Sequence, residues 1–312
     1  MTDRKDRGAP LALIGSCFTD IKGFADGPYD PVGRNPGTVE AFSGGVARNV
    51  AENCLNLGQP VRFITMCDAG PSGDAMMADL ARKGADLSAV LRPDRGGNGL
   101  WVAVFDEYGE LAGSVSQQPD YGLLAAHLES LGDGLLDGCS ALLLEMDLNA
   151  GIAETCFRQA EESGVPVYAI VGNLSVIRER TDLLARCACF VCNEIEAGKL
   201  FGCELSGLTP EQILVRVGEG ARLLRIPAIV VTLGGDGAVY FDASTGMRGH
   251  CPAVKADVVD TTGAGDAFFT ACVCALCLGR PLDEAVALGT ELASVVIAGK
   301  ENTCPPMPGF FS

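Results

Sequence analysis

Short runs that are apolar throughout recur along this chain, separated by longer stretches of helical period. Leu11 to Gly15, Val61 to Met66, Ala141 to Met146, Val165 to Val171, Cys189 to Cys192 and Ala228 to Thr232 read as strands. Helices are predicted from Gly44-Gly45 through Leu57, from a Ser72 cap to Lys83 with a stop at Gly84, over Ile152 to Ser163, and over Pro210 to Leu224. Strands without polar alternation are buried on both faces. Strands that alternate with helices imply a parallel sheet covered on both sides, an α/β fold. Val239 to Phe241 adds a strand, and the alternating Val254, Ala256 and Val258 predict another. Ala267 to Leu278 reads as a buried helix and Asp283 to Ala298 as the last long one.

One region breaks the alternation. Leu100 to Phe105 and Glu110 to Ser116 flank the turn Glu107-Tyr108-Gly109, as in a hairpin. Phe18 to Phe42 is rich in Gly and Pro. Such insertions often form a small sheet over a site.

The chain has 312 residues, with 23 basic against 40 acidic and a formal net charge of -17. No Lys/Arg cluster offsets this acidity, so nucleic acid and anionic membranes are not expected partners. A polyanionic ligand would have to be held by backbone amides, a metal ion and a few donors. The start is polar and its first apolar run is short, which reads as cytoplasmic. The 14 cysteines include two runs of like spacing, Cys187/Cys189/Cys192 and Cys272/Cys274/Cys277. Alternation places Cys187 and Cys189 on one strand face and Cys192 on the other, while Cys272 leaves the helix face shared by Cys274 and Cys277. Neither run aims three ligands at one point, so the thiols read as core packing.

The most informative stretch is Asp260-Thr261-Thr262-Gly263-Ala264-Gly265-Asp266 before the buried helix. Glycines allow close backbone approach, and free amides at a helix start make an anion site. A carboxylate aimed into an anion site would repel the anion. It makes sense if Asp266 takes a proton from a hydroxyl that attacks a phosphate.

This pattern resembles the second signature of the PfkB (ribokinase-like) carbohydrate and nucleoside kinases. The resemblance implies a three-layer fold with a mainly parallel central sheet and a small β-sheet lid, one kinase domain over residues 1–312 with lid segments about 18–42 and 98–117. It makes Asp266 the catalytic base and the Gly263, Ala264 and Gly265 backbone the anion hole. Ser43-Gly44-Gly45-Val46-Ala47-Arg48-Asn49 resembles the first signature, which implies that Gly44, Gly45 and Asn49 contact a sugar. Its spelling is similar to that of pseudouridine kinases. Asp20 matches a residue that binds a vicinal diol, for which a carboxylate suits because it accepts two hydrogen bonds.

Asn193-Glu194-Ile195-Glu196 is similar to the family's Asn-x-x-Glu element, which implies Asn193 at the phosphates and Glu196 at Mg²⁺ through water. Thr232-Leu233-Gly234-Gly235-Asp236-Gly237 resembles the nucleotide loop, which puts Thr232, Gly234, Gly235 and Gly237 at ATP. Asp260 and Thr262 match positions that help bind a monovalent cation such as K⁺. No P-loop is present, and Gly263-x-Gly265 lacks the third Gly of a dinucleotide fingerprint.

The expected activity is ATP-dependent phosphorylation of a ribosyl hydroxyl, with pseudouridine the leading substrate. Another nucleoside, a free sugar, or a non-catalytic sensor on the same fold are the rivals, and a sensor would need no base. A homodimer through the lid is a further expectation. Gln117-Gln118-Pro119-Asp120 and Gly172-Asn173-Leu174-Ser175 depart from the pseudouridine kinase pattern and are expected to govern the choice of base.

Overall fold

A computed structural model describes residues 8–172, 174 and 176–312. Asn173 and Ser175, in one of the two segments expected to select the base, lie outside the described residues. The strands, in chain order, are β1 (Leu11–Ile14), β2 (Phe18–Ala25), β3 (Gly37–Gly44), β4 (Val61–Met66), β5 (Val90–Leu91), β6 (Gly99–Phe105), β7 (Leu111–Gln117), β8 (Ala141–Glu145), β9 (Val167–Ile170), β10 (Cys189–Asn193), β11 (Ala228–Thr232), β12 (Ala238–Asp242) and β13 (Arg248–Cys251). The helices are α1 (Val46–Asn56), α2 (Pro71–Lys83), α3 (Tyr121–Leu131), α4 (Ala150–Ser163), α5 (Glu194–Phe201), α6 (Pro210–Leu223), α7 (Ala264–Cys277) and α8 (Leu282–Ile297).

Nine strands form one sheet in the order β13-β12-β11-β10-β9-β8-β1-β4-β5. Within this sheet β5, β4, β1, β8, β9, β10 and β11 pair in parallel, and β12 and β13 close the edge antiparallel. Alternation sorts the apolar side chains into two cores. Ala12, Ile14, Leu142 and Leu144 face α3, α4 and α6, whereas Leu11, Leu13, Ala141 and Leu143 face α1, α7 and α8. This is why the strands read as unbroken apolar runs. A second sheet, ordered β3-β2-β6-β7, stands apart and takes in both insertions.

α1 is tied to the far end of the chain. Asn53 Oδ1 accepts from the Cys304 amide at 2.8 Å, Asn56 Nδ2 donates to the Cys304 carbonyl at 2.6 Å, and the Met307 amide donates to the Asn56 carbonyl at 2.7 Å.

Three local expectations need correction. Residues 254–258 form no strand: Val254 and Val258 are exposed, and the segment runs as an irregular wall beside a cleft. Ser72 does not cap α2, whose first residue is Pro71. Its hydroxyl instead meets the Thr19 hydroxyl at 2.9 Å, and Gly84 does end the helix in the left-handed region. Cys187 precedes β10, so strand alternation does not govern it, and it packs in the opposite core from Cys189. All 14 cysteines are free thiols, and burial pushes Cys156 and Cys189 up to about 12. Among the described residues, no helix is long and apolar enough to cross a membrane.

Candidate active site

The site lies along the carboxyl edge of the large sheet, where open α/β sheets hold ligands. α7 starts there. Gly263 precedes it at φ 82°, and a Cβ at Gly263 would collide with the Asn302 carbonyl, so only glycine fits. The Ala264 amide is partly used, donating to the Thr261 carbonyl at 3.3 Å. The Gly265 and Asp266 amides have no backbone acceptor among the described residues. Of the expected hole, the Gly263 amide likewise has no acceptor among the described residues, and the Asp266 amide joins the Gly265 amide at the helix start. Nothing lies within 4 Å of a Cβ built on Gly265, so the helix start opens into space.

Asp266 is in the first turn, and Asn49 Nδ2 donates to its Oδ2 at 2.8 Å. Desolvation raises the Asp266 pKa to about 7, and the Glu145 and Asp20 carboxylates add to the rise. The Asn49 hydrogen bond and the Arg48 charge oppose it. The residue as a whole is half-buried.

α1 brings in Asn49. Gly45 precedes this helix at φ 99°, and a Cβ there would come within 2.6 Å of the Ser16 carbonyl oxygen. A Cβ at Gly44 would strike the Asp20 carboxylate. These glycines let the chain approach β2 closely. Asp20, buried on β2, has its pKa raised by that burial and lowered in part by Lys22 and Arg48. Arg48 Nη1 donates to the Ser43 carbonyl at 3.0 Å and to Asn49 Oδ1 at 3.1 Å. Arg48 also pairs with Glu52, which takes Lys83 at 3.0 Å. Asn49 is thus oriented by Arg48 and spends one N–H on Asp266, which leaves the other for a ligand.

Glu145, at the end of β8, escaped the sequence reading. It is buried and accepts from the Ser16 amide at 2.8 Å and the Ser16 hydroxyl at 2.9 Å. The Ala47 amide at the start of α1 also donates to it, while burial raises its pKa overall. A charge ending the apolar run Ala141 to Leu144 was the available signal.

Thr232, Gly234, Gly235 and Gly237 line one cleft together with Ala264 and Gly265, with a cavity volume of about 590 Å³. Gly237, at φ 89°, is needed where the backbone of Cys251 to Ala253 crosses it. Gly234 and Gly235 have nothing within 4 Å of an added Cβ, so a ligand can lie against them. The sequence reading missed His250, Lys255, Thr290 and Ser294 on the cleft wall. His250 Nε2 lies 2.6 Å from the Asp236 carbonyl.

Asn193 pairs in register with Thr232, which sets it beside this loop, although neither Asn193 nor Glu196 lines the cleft. The two close a capping box: Glu196 Oε2 accepts from the Asn193 amide at 2.8 Å, and Asn193 Oδ1 accepts from the Glu196 amide at 2.9 Å. Burial raises the Glu196 pKa. A half-buried carboxylate oxygen donor fits the water shell of Mg²⁺.

The donor set expected for a monovalent cation does not fit one. Asp260 Oδ1 accepts from the Thr262 amide at 2.8 Å and its hydroxyl at 2.7 Å, and Oδ2 accepts from Lys22 Nζ at 3.1 Å. These bonds hold the Asp260 pKa below the usual carboxylate range despite desolvation.

A kinase-like constellation on this fold defines a class, and comparison with known proteins agrees. Residues 9–308 match the pfkB family carbohydrate kinases, and the chain belongs to that family. It is a phosphotransferase that acts on a hydroxyl group of a sugar or nucleoside. It is 36% identical to a guanosine-inosine kinase of Exiguobacterium acetylicum, covering 95% of this chain and 97% of that protein. It is 23% identical to a pseudouridine kinase of Escherichia coli, over 95% of this chain and 93% of the other. Arabidopsis thaliana ribokinase, solved with ribose and ATP, superposes with a TM-score of 0.80 at 22% identity, over 96% of this chain and 97% of the other.

Proposed function

We propose that this chain transfers the γ-phosphoryl group of ATP to the 5′-hydroxyl of a ribonucleoside, as one kinase domain whose smaller sheet acts as a lid. The observation that carries the reading is Asp266, with a pKa raised to about 7, beside two free helix-start amides that open on the cleft of the glycine loop. The 5′-hydroxyl would lie between Asp266 and the γ-phosphate. Asp266 takes its proton as the oxygen attacks phosphorus and ADP leaves. The Gly265 and Asp266 amides stabilise the charge that develops on the transferred group. Asp20 and Asn49 would hold the ribose. Mg²⁺, held through water near Glu196 and Asn193, would neutralise phosphate charge when bound.

For the base, the 36% likeness over nearly the full length favours a purine, guanosine or inosine. Pseudouridine is the second reading, on the Gly44–Asn53 spelling. The outer lid face carries exposed Val39, Val102 and Val115, with Val102 and Val115 paired across strands, which supports a homodimer through the lid. A panel of guanosine, inosine, pseudouridine, uridine and ribose with ATP and Mg²⁺ tests the assignment. Guanosine or inosine should give the highest kcat/KM. Preference for pseudouridine would move the assignment to the second reading, and no nucleoside turnover would end both. Asp20→Ala should weaken all ribosyl substrates together.

A further inference from the structure

The place beside the anion hole that would take a monovalent cation already holds a positive charge. Lys22 is only 3% exposed. It lies two residues after Asp20 on β2, so both side chains leave the same strand face. Its ammonium is 3.1 Å from Asp260 Oδ2 and sits over the Phe42 ring, 5.1 Å from the centroid. Phe42 is the cross-strand partner of Asp20. A buried ammonium is costly unless it is paired, and its partner here is the carboxylate that fixes the Asp260–Thr262 turn. That turn leads directly into Gly263 and the amides of α7.

We propose that the Lys22 ammonium replaces a monovalent metal cation: it neutralises Asp260, holds the turn that positions the anion hole, and makes turnover independent of K⁺. Lys22 is a positioning residue, acting on the reacting groups through Asp260 and the α7 start. The inference rests on reading that start as the phosphoryl site.

The test compares initial rates with K⁺ and with tetramethylammonium, which is too large for such a site. Wild type should respond to K⁺ by less than about twofold. Lys22→Met should lose kcat by about 10- to 100-fold in tetramethylammonium, with a smaller change in nucleoside KM. K⁺ should restore part of that loss, and Lys22→Arg should retain more activity than Lys22→Met. Melting curves give a readout apart from activity: K⁺ should raise the Tm of Lys22→Met and leave wild type unchanged. Activation of wild type by K⁺ of about tenfold or more would overturn the proposal, as would a K⁺-induced rise in wild-type Tm. Should Lys22→Met fail to fold, the Lys22→Met/Asp260→Asn pair removes the uncompensated charge, and its recovery of stability supports the pairing. If wild type phosphorylates nothing, the functional reading fails, while the melting curves still decide whether Lys22 fills the cation's place.

Discussion

α1 and α7 meet at Asn49 and Asp266, and they begin alike. Each follows a glycine at positive φ, with no side-chain cap. The difference is in what fills the space at the helix start. At α1 the protein supplies the anion: the Glu145 carboxylate accepts from Ala47, and Gly44 and Gly45 are packed against Asp20 and Ser16. At α7 two amides remain free, and Gly265 faces open space. A Gly-rich helix start is thus no sign of a ligand by itself. The informative feature is whether the first amides have been satisfied from within.

The sharpest way to break this contrast is Asp266→Asn. It should lower kcat by about 10³-fold, within the range for general base catalysis, with calorimetric affinity for nucleoside and ATP nearly kept. The same variant should alter stability with a defined sign. A carboxylate with a raised folded pKa favours folding most below its unfolded pKa, near 3.9, and that contribution is lost as pH rises through about 7. Asp266→Asn should therefore gain Tm relative to wild type at pH 8 and not at pH 4.

Next in size, Gly45→Ala should destabilise the protein by about 1–3 kcal/mol or more, because positive φ and backbone collision act together. Chemical denaturation would read this. Gly265→Ala is the counterpart. It should hold or raise stability, since Ala is favoured in helices by about 1 kcal/mol, while kcat falls by about tenfold as the methyl enters phosphoryl space. If both substitutions behave alike, the contrast between the two helix starts is wrong.

The smallest effects concern pH. The kcat/KM of wild type should rise through a midpoint near 7 as Asp266 loses its proton. Asn49→Leu removes a bond to the charged form and should move the midpoint up by about one unit. Glu145→Gln removes a repelling carboxylate and should move it down by less than about one unit. Shifts of the same sign would sink the assignment of Asp266 as the titrating base.

The large sheet was legible because its strands are apolar on both faces and its helices carry glycine stops, as at Gly84. The strand reading of residues 254–258 failed because the segment runs as cleft wall, lined by Val254, Lys255, Ala256 and Val258, without a pairing strand. Asp266 could be read from its anomaly, a negative charge in a positive place. Glu145 and Lys22 could not. Their partners lie 129 and 238 positions away; the charge that ends the run Ala141 to Leu144 marks Glu145 as unusual without naming its partner, and nothing local marks Lys22.

The clasp between α1 and the end of the chain has a consequence in time. Asn53 finds its acceptor role only with Cys304, 251 positions later, and the Asn49–Asp266 contact itself spans 217. Contacts so distant in sequence form late, because loop closure must precede them. During synthesis the helix carrying Asn49 can pack on β1, β4 and β8, but its bonds to Asp266 and Cys304 must wait for those later residues. Cys304 and Met307 complete its seating, so removing the segment that carries them should disarm chemistry whose every catalytic group is still present.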